Sequence, residues 1–313
     1  MDWLLLLDVG GTTIKGAVCA LSGNDRIFAR ADFDSRSDAD AHTIILNFLR
    51  IFDTLIRSIE DGDKKIAGIA FAFPGDFDYE KGIPLLKNVQ KYDSLYGRDL
   101  PATFRSLIGS SPLGEYFVPD YRFVFVHDIA AFLLGKINQL PRAYQKIMTV
   151  CVGTGAGSAF YAHGKLVDHE FPGVPFKGWI YNKPFRDGII DDYISVRGLA
   201  NLAAHRMGRP VSGEELSRMA AHNQKEALSI FTLFGEMLAE CLTPFFQSFA
   251  PDCFILGGGI AKGGSFFLGP VQNICAAYAV QLVVEPRSTE YAMEGLLRFY
   301  REKTALPRGM NSL

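Results

Sequence analysis

Asp8 is followed within five residues by Gly10, Gly11, Thr12 and Thr13, in a stretch that reads LLLLDVGGTTIKGAVCA over residues 4–20. Two glycines leave their backbone N–H groups open to a ligand, and two threonines add hydroxyl donors beside them, so this tip can hold a phosphate. A carboxylate at the end of the adjoining buried strand can hold the hydrated Mg²⁺ that accompanies a nucleotide. The same residues also make an ordinary tight turn with a terminal Asp. The pattern recurs at 147–167, IMTVCVGTGAGSAFYAHGKLV, where an apolar run meets Gly153, Thr154, Gly155, Ala156 and Gly157 before alternation resumes. Aligning Val9-Gly10 with Val152-Gly153 puts the two copies at comparable positions of two half-chains. Two such tips facing one another would grip a polyphosphate from both sides.

A second carboxylate, Asp128, lies in YRFVFVHDIAAFLLGKINQL (121–140), where an alternating strand passes into a run of helical period. Its place at a helix N-terminus suits a cap and equally suits a catalytic base. Phosphoryl transfer asks mainly for positioning and charge neutralisation, and the base need only accept the acceptor's proton late in transfer.

The elements that must position these groups are legible from hydrophobic period and turn residues. Residues 4–9 and 14–20 predict a hairpin. KKIAGIAFAFPGDFD (64–78) predicts a strand ending at Pro74-Gly75-Asp76. CFILGGGIAKGG (253–264) predicts a strand opening into the loop Gly257-Gly258-Gly259, and residues 227–243 predict an apolar helix bent or ended by Pro244. Phe71, Phe73 and Phe77 read as core. A Rossmann fingerprint is excluded because Gly157 leads into Ser158-Ala159-Phe160-Tyr161, a strand rather than a helix, and no G-K-[ST] follows either tip.

With 313 residues the chain exceeds the roughly 250–300 at which one core stops growing, so two domains are expected. Its 48% hydrophobic and 21% charged residues are those of a globular protein, and a net charge of −2 supplies no broad basic field for nucleic acid or an anionic membrane. No basic flank precedes the first apolar run, and no segment approaches the roughly 20 apolar residues of a span, so a cytoplasmic protein without membrane partners is expected. The cysteines at 19, 151, 241, 253 and 275 are scattered among apolar residues with no C-x-x-C pair, which predicts buried free thiols.

The ordered set DVGGTTIKGAV, FPGDFD with KNV, HDIAAFLLG, VGTGAGSAF, DDYISVRGL and ILGGGI resembles the ROK family of sugar kinases and related repressors, within the actin-like, hexokinase-like ATPase superfamily. The resemblance covers nearly the whole chain. It implies an α/β fold of two related actin-like (ribonuclease H-like) domains with ATP in the cleft between them. The first would run over 1–127, completed by a C-terminal helix at about 290–313, and the second over 128–289.

By the same resemblance Asp8, Gly10, Gly11 and Thr12 contact phosphate and Mg²⁺, with Asp8 reaching the metal through water, and Thr13, whose hydroxyl stands beside them, is a further phosphate candidate. Gly153, Thr154 and Gly155 form the second phosphate contact, and Gly257, Gly258 and Gly259 pass the adenosine. Gly75, Asn88, Asp128 and Glu170 are the sugar contacts, with Asp128 as catalytic base. The implied activity is ATP-dependent phosphorylation of a hydroxyl on a hexose or N-acetylhexosamine by a homodimeric enzyme. The alternative is an inactive or regulatory sugar-binding relative. A DNA-binding regulator would need a helix-turn-helix before the first phosphate motif, where seven residues stand, and is not expected.

Departures from the family pattern are local. His127 stands where Asn precedes the catalytic Asp, and the Glu-x-x-His sugar motif reads Glu170-Phe171-Pro172-Gly173. KGWIYNKPFRDGIIDDY replaces the cysteine-rich zinc loop, with Ile189 and Asp191 where Cys and Glu are the rule. Residues 168–200 hold one His and no Cys, so no structural zinc is expected. His127 reads either as a sugar donor or as a His satisfied by backbone.

Overall fold

The computed structural model describes residues 1–21, 26–87 and 89–305, and the chain divides into two compact units, Met1–Gln139 with Thr289–Leu313 and Leu140–Ser288. Asn88 lies outside the described residues.

In the first unit the leucine run forms strand β1 (Asp2–Val9), which turns back antiparallel into β2 (Thr13–Ala20), with β3 (Ile27–Asp34) beyond it. Helix α1 (Ala41–Arg57) starts at an N-cap Asp40 whose carboxylate accepts from Thr43 N, and its apolar stripe lies in the core. Strands β4 (Lys65–Phe73) and β7 (Phe117–His127) add in parallel, giving the order β3-β2-β1-β4-β7. Between them lie the short hairpin β5 (Phe77–Asp78) and β6 (Ile83–Pro84) and helix α2 (Leu100–Gly109). Phe71, Phe73 and Phe77 are fully buried, as the sequence predicts, and the Phe71 ring stacks on Phe125 at 4.7 Å.

Helix α3 (Asp128–Ile137) stays with this unit, although the sequence reading began the second domain at Asp128. The cause is packing against the C-terminal helix α9 (Ser288–Ala305): Phe132 meets the Tyr291 ring at 6.1 Å, and Lys136 Nζ lies 3.2 Å from Tyr291 Oη.

The second unit repeats the strand order. Strands β8 (Lys146–Val152), β9 (Ala156–Ala162) and β10 (Lys165–Val167) run antiparallel in sequence, and β13 (Cys253–Gly257) and β14 (Gln281–Glu285) pair in parallel on the other side of β8, giving β10-β9-β8-β13-β14. A hairpin β11 (Pro184–Phe185) and β12 (Gly188–Ile189) leads into the one-turn helix α4 (Ile190–Tyr193). Helices α5 (Val196–Met207), α6 (Gly213–Ala221), α7 (Lys225–Phe249) and α8 (Leu268–Ala277) complete the unit.

Helix α7 bears on two expectations. It passes Pro244 and continues to Phe249, so of the two expected outcomes, a bend or an end, the end does not occur. It is also long and apolar enough to span a membrane by length and composition, contrary to the sequence reading. Half of its most apolar window is buried in this unit, where Phe234, Leu238, Leu242 and Phe246 join the core. All five cysteines are free and buried.

Candidate active site

The first glycine tip is the β1–β2 turn, closed by Gly10 N donating to Thr13 O at 3.0 Å. Its carbonyls are tied back from one side. Tyr92 Oη donates to Gly10 O at 2.8 Å, while Ser35 Oγ and Ser37 Oγ donate to Gly11 O at 3.0 and 2.5 Å. Ser35 N also donates to Thr12 O at 3.0 Å. The turn is thus braced by three hydroxyl groups from sequence-distant segments, while Thr12 is exposed.

Asp8, half-buried between the buried Leu7 and Val9, lies one residue before the end of β1 and stands opposite Lys15 in the β1–β2 register. Its carboxyl is pushed up from an ordinary 3.8 to about 7, first by burial and then by the neighbouring Asp128 carboxylate, with Lys15 pulling the other way. Asp8 and Asp128 stand at the same edge of the sheet, at the ends of β1 and β7 with β4 between them, near enough for the Asp128 charge to act on Asp8.

At that second strand end His127, not Asp128, is the N-cap of α3. Ile129 N donates to Asp128 Oδ1 at 2.8 Å and to His127 Nδ1 at 3.3 Å, and the two acceptors lie 3.3 Å apart. A nitrogen that accepts an N–H carries no proton. Burial also lowers the His127 pKa, with Asp128 opposing it, so the ring is neutral near pH 7. The backbone-satisfied reading of His127 thus describes its Nδ1. Tyr79 meets the His127 ring edge-on at 6.1 Å, and its Oη lies 2.9 Å from both Phe73 O and Gly75 O, linking the Gly75 turn to the His127–Asp128 corner.

In the second unit the β8–β9 turn carries Gly153, Thr154 and Gly155, with Gly153 N donating to Gly155 O at 3.0 Å and Val152 opposite Ala156. The same turn position in an equivalent sheet is what the repeat predicts. Gly258 sits at φ +88° against Val152, where a Cβ would come within 2.7 Å of Val152 N, so the Gly257-Gly258-Gly259 loop and the second tip are neighbours. Glu170 is exposed on a separate turn.

The structure gives a reason for glycine at 173, where the family pattern has His. Gly173 has φ +81°, and a Cβ there would come within 2.5 Å of Phe249 N on α7. Backbone packing requires glycine at this point.

Asp191 is a residue whose role the sequence did not convey. Its Oδ1 accepts from Ala156 N at 2.8 Å, its Oδ2 meets Arg197 Nη2 at 3.1 Å, and its carbonyl accepts from Ser195 Oγ at 2.7 Å. Val196 N donates to Gly153 O at 2.8 Å. The segment that replaces the zinc loop therefore braces the second tip through a carboxylate and the start of α5. Lys15, Tyr92 and Arg197 likewise belong to no motif that the sequence offered. Only Lys15 left a signal, its place opposite Asp8 once the hairpin is drawn.

Known proteins resemble the chain along nearly its full length. The N-acetyl-D-glucosamine kinase of Photobacterium profundum is 25% identical over 282 residues, covering 82% of this chain and 83% of that one. A ROK family glucokinase from Streptomyces griseus, solved with glucose and AMPPNP, superposes with a TM-score of 0.72 at 16% identity over 96% of this chain and 99% of that one. A ROK family transcriptional regulator, a homologue of the E. coli MLC protein, gives 0.71 at 14% identity over 95% and 80%. Kinase and regulator thus share this α/β architecture, the actin-like ATPase fold of ROK proteins, and residue chemistry must choose between them. The ROK family model itself matches residues 5–293, a span that takes in both glycine tips, Asp128 and the three-glycine loop, and the chain belongs to the ROK family.

Proposed function

We propose that this chain is a sugar kinase that transfers the γ-phosphoryl group of ATP to a hydroxyl of a hexose or N-acetylhexosamine. The observation that carries the reading is that Asp8 and Asp128 stand at the same ends of the parallel strands β1 and β7, on either side of β4, with Asp8 two residues before the first glycine tip. A phosphoryl transferase needs one carboxylate for its metal and another for the acceptor's proton, next to N–H groups that take phosphate oxygens. The N-acetyl-D-glucosamine kinases among its relatives support the acceptor class.

Burial first, and the Asp128 charge second, raise the Asp8 pKa, so an ionised Asp8 is best held there with a cation beside it. The donor set fits a hydrated Mg²⁺ held by Asp8, which when bound would neutralise phosphate charge. Asp128, oriented by Ile129 N–H, accepts the proton of the attacking sugar hydroxyl. The family resemblance assigns phosphate contacts to the tips at 10–12 and 153–155 and the adenosine to Gly257 to Gly259. It assigns sugar contacts to Gly75 and Glu170, and His127 stands beside Asp128. Incubating the protein with Mg-ATP and a panel of hexoses and N-acetylhexosamines, with phosphosugar detected by mass spectrometry, tests this. At least one member should be phosphorylated, and a panel without product would refute the reading.

A further inference from the structure

The first tip carries a cation that no motif announces. Three lysines lie in the stretch from β5 to Tyr92. Lys81 pairs with Asp78 at 3.6 Å, and Lys87 lies over the Tyr96 ring at 3.9 Å. Lys91 is different. Its side chain lies across Gly11, with Nζ 2.6 Å from where a Gly11 Cβ would stand. The Gly10 and Gly11 carbonyls do not explain this, since Tyr92, Ser35 and Ser37 hydroxyls already donate to them.

The segment that presents Lys91 is held at a cost. Gln90 and Tyr92 on either side both have left-handed backbones, at φ +58° and +60°. Each such non-glycine residue costs roughly 1–3 kcal/mol and persists only where its surroundings enforce it. The enforcement is visible at Tyr92, which is fully buried, packs on Phe73 at 5.0 Å, donates N–H to Ser37 O at 2.6 Å and reaches Gly10 O with its hydroxyl. Tyr92 fastens the lysine segment to the tip. An exposed lysine ordinarily keeps its rotamer freedom in water, so a side chain laid over a glycine turn calls for a partner that arrives there.

We infer that Lys91 is a catalytic residue whose ammonium contacts the terminal phosphate of the nucleoside triphosphate at the first tip, neutralising charge on the transferring oxygens. This rests on the kinase reading. A lysine serves here as a point charge beside N–H groups that supply directionality.

The test compares wild type with Lys91→Met, Lys91→Arg and Lys87→Met, titrating Mg-AMPPNP and Mg-ADP by calorimetry and then measuring turnover. Lys91→Met should weaken AMPPNP about tenfold to a hundredfold, the worth of a charge-assisted hydrogen bond, while ADP moves less than twofold. Lys91→Arg should recover most of that, and Lys87→Met should change neither. Turnover in Lys91→Met should fall a hundredfold or more with sugar KM little changed. Equal losses for AMPPNP and ADP, or no loss for either, would overturn the assignment. Failure of the kinase reading shows separately, as wild type that binds nucleotide yet forms no phosphosugar, and the AMPPNP-to-ADP comparison still judges Lys91.

Discussion

Replacing Asp8 with Asn should remove activity and at the same time stabilise the ligand-free protein at alkaline pH. The folded-state pKa of Asp8 is about 7 against an ordinary 3.8, a rise of about 3.2. At 1.36 kcal/mol per unit this corresponds to about 4 kcal/mol between the protonated and ionised forms. The sign follows from linkage. A group that binds its proton more tightly when folded contributes stability that is complete below about pH 3.8 and is lost as pH rises through 7. At pH 8 the folded wild type therefore carries an unfavourable charge beside Asp128, which Asn lacks. Asp8 is partly open to solvent, which trims the gain to about 2 kcal/mol. Scanning calorimetry of both proteins without metal or nucleotide should show Asp8→Asn melting several degrees higher at pH 8, with the difference nearly gone at pH 4. A variant less stable than wild type at pH 8, or an equal gain at both pH values, would refute the raised pKa that burial and the Asp128 charge give Asp8.

Other substitutions test separate parts of the account. Asp191→Ala removes the acceptor of Ala156 N–H and the partner of Arg197, and should raise the Kd for ATP several-fold in titration while leaving sugar KM within about twofold. Gly173→His forces a left-handed backbone and a clash with α7, so Tm should drop in line with a loss of about 1–3 kcal/mol or more, read by thermal melting. His127→Asn exchanges a neutral ring for an amide beside Asp128. It should reorder kcat/KM among glucose, mannose and their N-acetylamino relatives with ATP KM little moved, as competitive substrate assays would report.

Local pattern carried much of this architecture, because each hairpin is specified within about twenty residues. The leucine run, the glycine turn and the alternation after it place β1, β2 and the first tip, and the same grammar places β8, β9 and the second. Asp128 was legible as a strand-to-helix residue, yet the cap position fell to His127 and Asp128 became the first helical residue, with both side chains accepting from Ile129 N–H, because where helical backbone angles begin is not set by residue type. The unit boundary was misplaced by the length of α3 because Phe132 and Lys136 meet Tyr291 over 150 residues away, a contact without local trace. The braces Tyr92 and Asp191 were hidden for the same reason. Gly173 read as a lost side chain only because its neighbour on α7 was out of sight.

The most direct measurement is sugar-dependent ADP release in wild type and Asp128→Asn, run side by side with ATP binding measured on both. Asn keeps the shape of the side chain and removes its proton acceptor, and general bases of this kind contribute about 10² to 10⁴ in rate. Asp128→Asn should therefore lose at least a hundredfold in kcat while its Kd for ATP stays within about twofold of wild type. Near-normal kcat in the variant would contradict the account, because the proton would then leave the sugar without the carboxylate that β7 and α3 place beside Asp8.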